Sequence, residues 1–143
     1  MKNITVFIDF EENAKILVDH AAILADKFDS KVWLVHVAAP NPDFVGLEVG
    51  PQYIRDLVAE DLREEHRKIQ KMAQELTDSG IDSVGLLIQG TTVASILDEI
   101  DKLDADLCLI GQHEHGFLHN VIFGNTALQV VRKAKIPVLV VPI

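Results

Sequence analysis

Residues 107–142 read LCLIGQHEHGFLHNVIFGNTALQVVRKAKIPVLVVP. The stretch opens with one short apolar run, Leu107–Ile110, and closes with another, Pro137–Pro142. Apolar residues that are continuous rather than alternating predict strands that are buried on both faces of a parallel sheet. Between the two runs a helix is predicted to begin at Asn125. Its apolar face consists of Ala127, Leu128, Val131 and Ala134.

The rest of the chain repeats this alternation of strand and helix. Apolar runs predict strands at Ile4–Ile8, Val32–Val37 and Val84–Ile88. Helical spacing predicts helices at Glu11–Phe28, at Pro51–Ser79 with Gly80 as its stop, and after a cap at Thr91 or Thr92. The segment Ala38–Gly50 is predicted to be a loop. Because alternating strands and helices form parallel sheets, we expect a single α/β domain over residues 1–143. Its fold class is a doubly wound, five-stranded parallel sheet, Rossmann-like, with helices on both faces.

Each predicted helix has an apolar face that is expected to pack on the sheet. These faces are Ile16, Leu17, Ala21, Leu24 and Phe28 in the first helix, Ile54, Leu57, Val58, Leu62, Ile69, Met72 and Leu76 in the second, and Val93, Ile96, Leu97 and Ile100 in the third. The face of the second helix runs its whole length, so that helix is expected to pack on the sheet throughout.

Composition limits the classes of function. Lys and Arg total 13 and Asp and Glu total 22, which gives a formal net charge of −9. This acidity argues against a nucleic-acid or membrane partner, because both need a basic face. The chain opens with no signal peptide, and no apolar run approaches the ~18 residues of a membrane span, so we expect a soluble, cytoplasmic protein. The single cysteine, Cys108, lies in an apolar run and is expected to be a small core residue.

Three segments follow predicted strands and should reach the edge of the sheet where such folds bind ligands. They begin at Asp9, at Gly90 and at Gly111. The third segment ends in Gly124–Thr126, which is predicted to open a helix whose free N–H groups and dipole favour a phosphate. The alternative is that Gly111 and Gly124 serve only tight turns and close packing.

At these residues the chain resembles the universal stress protein family over nearly all of its length. The resemblance rests on ITVFIDF ending in Asp9, on VWLVHV, on ADLCLIG, and most of all on residues 111–142. There a glycine follows the fourth strand, His113 comes two residues on, and a PVLVVP strand ends the block. The resemblance implies the sheet order 3-2-1-4-5 and a homodimer that pairs Val138–Val141 across a two-fold axis. A bare apolar edge strand of this kind would also promote aggregation of a monomer.

The resemblance also implies an adenine-nucleotide site for ATP or AMP, with or without Mg²⁺. Members that bind ATP carry G-x2-G-x9-G-[ST] after the fourth strand; Gly111 and Gly124 match, whereas Glu114 and Asn125 depart from it. A glutamate beside a triphosphate repels it unless Mg²⁺ lies between them. Gly116 and Thr126 partly replace the missing features. The implied nucleotide-binding residues are Asp9, Val37, Gly90, Gly111, Gln112, His113, Gly116, Gly124, Asn125 and Thr126.

A cluster of histidines raises the question of a metal site, and we predict none. His113, His115 and His119 cluster near Glu114 and have the chemistry of transition-metal ligands. The alternative, that these histidines bind no native metal, is favoured because the family commonly carries a histidine at the place of His113. His36 is expected to be a core or sheet-edge histidine.

Binding rather than catalysis is the predicted activity. No serine lies in a nucleophile elbow and one carboxylate, Asp9, does not make a hydrolase, so at most slow, incidental ATP hydrolysis is expected. The favoured hypothesis is a homodimeric stress-response sensor of adenine nucleotide that acts on an unknown protein partner. The rival, favoured by Glu114 and Asn125, is a nucleotide-free dimeric interaction module. A third hypothesis is an enzyme that uses Asp9 and Mg²⁺.

Overall fold

The computed structural model of the protein describes residues 1–38, 52–112 and 121–143, with the side chains of 52–55 and 121–125 left out. Strands and helices alternate along them: β1 Asn3–Phe7, α1 Ala14–Phe28, β2 Lys31–Ala38, α2 Gln52–Asp78, β3 Ser83–Gln89, α3 Thr92–Lys102, β4 Leu107–Gln112, α4 Val121–Lys133 and β5 Val138–Pro142. The sheet has the order β3-β2-β1-β4-β5, and all neighbouring strands are parallel. The predicted fold class and strand order are confirmed. The predicted loop lies outside the described residues except for Ala38, which ends β2.

The strand order reverses at β1. Phe7, the last residue of β1, is in register with Val35 of β2 on one side and with Ile110 of β4 on the other. Since all these strands run the same way, the residues that follow Phe7, Val35 and Ile110 leave the sheet at one edge. That edge is where the candidate site is built.

The sheet is buried on both faces, as the continuous apolar runs predict. On one face Ile4, Val6 and Leu34 pack with α1 and α2. On the other face Val35 and Ile110 pack with α3 and α4. Strands β1, β2, β4 and β5 therefore each contribute side chains to both cores, which explains why their sequences show no polar alternation.

Helix α1 differs from the prediction in its start and in its buried face. It begins at Ala14 rather than Glu11, because Phe10 is left-handed (φ 59°) and the Asp9 carboxylate accepts the Glu11 N–H at 3.2 Å, which turns the chain first. Its buried residues are Ala14, Leu17, Val18, Ala21 and Ala25. The expected core residues Ile16 and Phe28 are exposed. The buried face thus combines small alanines with Leu17 and Val18, and it is turned away from Ile16 and Phe28.

Helix α4 begins at Val121, so the predicted start at Asn125 is wrong. The apolar residues Val121–Phe123 extend the helix backwards, and Gly124 is tolerated inside it at a cost of about 1 kcal/mol. The unpaired N–H groups of the first turn therefore precede Gly124–Thr126. The predicted face is also wrong in part, since Ala127 and Val130 are buried whereas Leu128 and Val131 are exposed.

Helix α2 is fully buried against the sheet in its C-terminal half. Ile69, Ala73 and Leu76 are buried, whereas no side chain of residues 56–68 is. Leu57, which was expected in the core, is 62% exposed. The expectation that α2 packs throughout is therefore wrong at Leu57, whereas Val58 and Leu62 are half-buried and the side chain of Ile54 lies outside the described part of the chain. The helix ends as predicted, because Gly80 follows it with a φ of 96°.

Close contact with β3 holds the packed half of α2. A Cβ added to Gly85 would lie 2.6 Å from the Ile69 carbonyl oxygen and 3.1 Å from the Gln70 backbone nitrogen. The Gln70 side-chain amide donates to the Gly85 carbonyl oxygen at 2.8 Å. Glycine at this position lets helix and strand backbones approach each other.

Replacing Gly85 with alanine should therefore force α2 away from β3. We expect Gly85→Ala to destabilise the protein by about 1–3 kcal/mol, measured as a lower midpoint of urea unfolding. Glu75→Ala is the matched control: it lies on the same helix at an exposed position, and it should keep the wild-type midpoint. Equal midpoints for Gly85→Ala and the wild type would contradict the close contact.

At the amino ends of the strands, Asp106 connects the start of β1 to the start of β4. Its carboxylate accepts the backbone N–H groups of Lys2 and Asn3, and these bonds lower the pKa of Asp106. A depressed pKa contributes stability above the unfolded value and loses it as pH falls through the folded value. We expect Asp106→Asn to lower the urea midpoint at pH 7, by a margin that shrinks below about pH 4. The control, Asp101→Asn on α3, should change the midpoint little at either pH. A margin for Asp106→Asn that does not change with pH would contradict the role of the carboxylate.

Candidate functional site

A cavity of about 160 Å³ opens at the edge where the strand order reverses. It lies beyond the carboxyl ends of β1, β2 and β4 and is closed by side chains from α3 and α4. It is lined by Phe7, Ile8, Asp9, His36, Val37, Thr92, Ile96, Ile110, Gly111, Thr126 and Ile143. A cavity of roughly 150 Å³ accommodates a benzene ring, so this one has the size of a single aromatic ring system.

The lining combines an apolar interior with a few polar groups. Seven of the lining residues are apolar or glycine, and the polar ones are Asp9, His36, Thr92 and Thr126. Thr126 lies on α4, the helix that covers the cavity, and it is buried. This is the composition of a small-molecule site, where apolar walls hold a ring and few polar groups orient it.

The structure brings four of the predicted nucleotide-binding residues together and leaves others apart. Asp9, Val37, Gly111 and Thr126 line the cavity. Gly90 and Gln112 are not in its lining: the Gly90 N–H donates to the Ala38 carbonyl at 3.3 Å, and the Gln112 carbonyl accepts the Ile143 N–H at 2.9 Å. His113 and Gly116 lie outside the described residues. Gly124 and Asn125 belong to α4, and only their backbone is described.

Gly111 makes room for a side chain of the protein itself. It lies within β4 rather than after it, and a Cβ added there would collide with the Ile143 side chain. Ile143 lines the cavity and is held by its backbone bond to Gln112. At this residue the structure therefore favours the packing alternative over the close approach of a phosphate.

His36 is a lining residue that the sequence did not place in the site. Its Nδ1 lies 2.6 Å from the Ile8 carbonyl oxygen, and its ring packs on the Phe10 ring with 4.2 Å between centroids. Its Nε2 lies 3.6 Å from the Glu65 carboxylate. The available signal was its position directly before Val37 at the carboxyl end of a buried strand.

The described residues hold no group of three or more side chains suited to a metal ion. The histidine cluster at 113–119 lies outside them. Cys108 is buried, and burial raises the pKa of its thiol to about 12, which confirms it as an inert core residue. Among the helices in the described part of the chain, none is long and apolar enough to cross a membrane.

Comparisons with known proteins agree with this architecture. The model of the universal stress protein family matches residues 1–142. Universal stress protein MJ0531 of Methanocaldococcus jannaschii is 30% identical over 98% of this chain and 81% of its own. Among solved structures, hypothetical protein MJ0577 superposes with a TM-score of 0.82 at 24% identity, covering 99% of this chain and 96% of that one. A universal stress protein from Archaeoglobus fulgidus in complex with dAMP has a TM-score of 0.71 at 22% identity, covering 98% and 97%.

Proposed function

The chain belongs to the universal stress protein family, and we propose that it binds an adenine nucleotide in the cavity at the carboxyl edge of β1 and β4. The observation that carries this proposal is the cavity itself. It lies at the reversal of strand order, and Asp9, Val37, Gly111 and Thr126 meet in its lining. Ligands of open parallel sheets bind at such a reversal.

The size and chemistry of the cavity suit the base of a nucleotide. Its volume of about 160 Å³ admits one ring system, and its walls are mostly apolar. The phosphates of a bound nucleotide would then lie outside the ring-sized space. The A. fulgidus relative of the same fold was solved with dAMP, which supports an adenine base.

We propose AMP or ATP as the ligand, with Mg²⁺ as the ion that would separate a triphosphate from Glu114. The protein would act in the cytoplasm as a stress-response sensor and not as a catalyst. Among the described residues that line the cavity, Asp9 has the only side-chain carboxylate, and none is a cysteine or serine. Binding that shifts the protein between two states requires only a difference in affinity for those states.

A second candidate function is a nucleotide-free interaction module. Two observations favour it: the Ile143 side chain occupies the space left by Gly111, and α4 begins ahead of Gly124–Thr126. Both weaken the phosphate-binding features that the sequence predicts. The two candidates are separated by a direct measurement of binding.

We also propose that the protein forms a homodimer through β5. Within the described sheet β5 pairs only with β4, so its other edge is open. Leu139 on β5 is 37% exposed, and Leu128 and Val131 on α4 are exposed as well. Pairing of Val138–Val141 with a second copy would cover this apolar edge strand.

Filling the cavity should abolish nucleotide binding. We expect calorimetric titration of nucleotide-free protein with AMP and with ATP, with and without Mg²⁺, to give a micromolar Kd for at least one ligand. Val37→Trp puts a large side chain in the ring-sized space and should weaken binding at least tenfold. Leu57→Trp adds the same side chain at an exposed position and should leave binding unchanged. Absence of heat at millimolar ligand would contradict nucleotide binding and favour the interaction module.

A charge on the open edge should separate the dimer. We expect sedimentation of the wild type at micromolar concentration to give twice the 15.8 kDa mass of one chain. Leu139→Lys would bury a charge in the interface and should give the mass of a monomer. Ile23→Lys, at an exposed position on α1, is the control and should remain dimeric. A wild type that sediments as a monomer would contradict the proposal.

A further inference from the structure

We propose that the Glu65 carboxylate stabilises a proton on His36 Nε2, and that gaining this proton raises the affinity of the cavity for an anionic ligand. The inference rests on the proposed function for its second half, because the anion is taken to be a nucleotide. Its first half concerns only the two side chains.

The bond from His36 to Ile8 fixes which ring nitrogen carries the proton in the neutral state. Nδ1 lies 2.6 Å from the Ile8 carbonyl oxygen. A carbonyl oxygen can only accept, so Nδ1 must be the donor. In the neutral ring Nε2 then holds a lone pair, and any additional proton must go to Nε2.

Glu65 presents an acceptor to that same nitrogen. Its Oε2 lies 3.6 Å from His36 Nε2, is shielded from solvent, and has no hydrogen-bond partner among the described residues. An acceptor withdrawn from water without a donor is costly to the folded state. With neutral His36 two acceptors face each other, whereas a proton on Nε2 converts the contact into an ion pair of opposite charges.

Phe10 holds the imidazole at this position. Its ring packs on His36, and its backbone is left-handed with a φ of 59°. That conformation costs a bulky residue roughly 1–2 kcal/mol, so the surrounding packing fixes it. The ring of His36 therefore lies between Phe10, Glu65 and the cavity.

The charges around His36 set the sign of the effect. Asp9 lines the same cavity, and Glu65 faces the ring from α2. Lys68 lies 5.9 Å from the Phe10 ring centroid and is ion-paired with Glu64 at 3.2 Å. From β3 the residue in register with His36 is the uncharged Leu87. With neutral His36 the described groups nearest the cavity thus bear two negative charges, and protonation offsets one of them.

Histidine is the side chain whose charge ordinarily changes between pH 5 and pH 8. Because His36 lines the cavity, its positive charge would attract a bound phosphate. At the dielectric constant of water, two unit charges roughly 6 Å apart attract each other by an amount that corresponds to about a threefold change in affinity. Anion binding should therefore be accompanied by uptake of a proton.

The first half is tested without any nucleotide. Nitrogen-15 NMR of the His36 ring should show Nδ1 as the protonated nitrogen of the neutral form. At pH 6.5 the fraction protonated at Nε2 should be lower in Glu65→Gln than in the wild type. Glu64→Gln removes the same charge at the next residue and should match the wild type. Equal fractions in the wild type and Glu65→Gln, or a neutral ring protonated at Nε2, would overturn the stabilisation of this proton by Glu65.

The second half compares AMP affinity at pH 6 and pH 8, at constant ionic strength, in the wild type and in His36→Gln. We expect the ratio of the affinity at pH 6 to the affinity at pH 8 to be about threefold larger in the wild type than in His36→Gln. The histidines at 113, 115 and 119 are present in both proteins, so their contribution cancels. Equal ratios would overturn the link to the cavity. Absence of AMP binding at both pH values would contradict the proposed function and this second half, while the NMR result decides the first half alone.

Discussion

Parallel pairing of β1 with both β2 and β4 is the constraint on which the rest of the molecule depends. Because β1 is the first strand and lies in the middle of the sheet, the chain first places β2 and β3 on one side of it. It then crosses β1 and places β4 and β5 on the other side. As a result, helices α1 and α2 lie on one face of the sheet, and α3 and α4 lie on the other. A crevice is left where they part, and the cavity occupies it.

The fold could be predicted because it depends on patterns within short segments. Five buried strands are recognisable from continuous apolar runs, and their order follows from the resemblance to a family. Which side of a helix faces the sheet was harder to predict. In α1 the small residues Ala14, Ala21 and Ala25 are buried while Ile16 is exposed. The start of α4 was missed because a glycine was taken as a boundary when it lies inside the helix.

Part of the site could be predicted, from the ends of strands and from the resemblance to a family. Asp9 and Val37 come at the carboxyl ends of β1 and β2, and the structure places both in the cavity. The contacts of His36 could not be foreseen, since they depend on Glu65 and Phe10 meeting it across separate elements. Gly111 was recognised as special, but its neighbour Ile143 comes from the end of β5 and gives the glycine a packing role.

Because helix α2 is fully buried along only part of its length, its two parts are expected to open at different free energies. No side chain of residues 56–68 is fully buried, so opening this part of the helix exposes less core surface than opening the part from Ile69 onward. Such segments open locally at a free energy far below that of global unfolding. The contact of Glu65 with His36 is made within this weakly held segment, while the packed half from Ile69 onward belongs to the core. Amide hydrogens of the two halves of one continuous helix would accordingly exchange with solvent through different events.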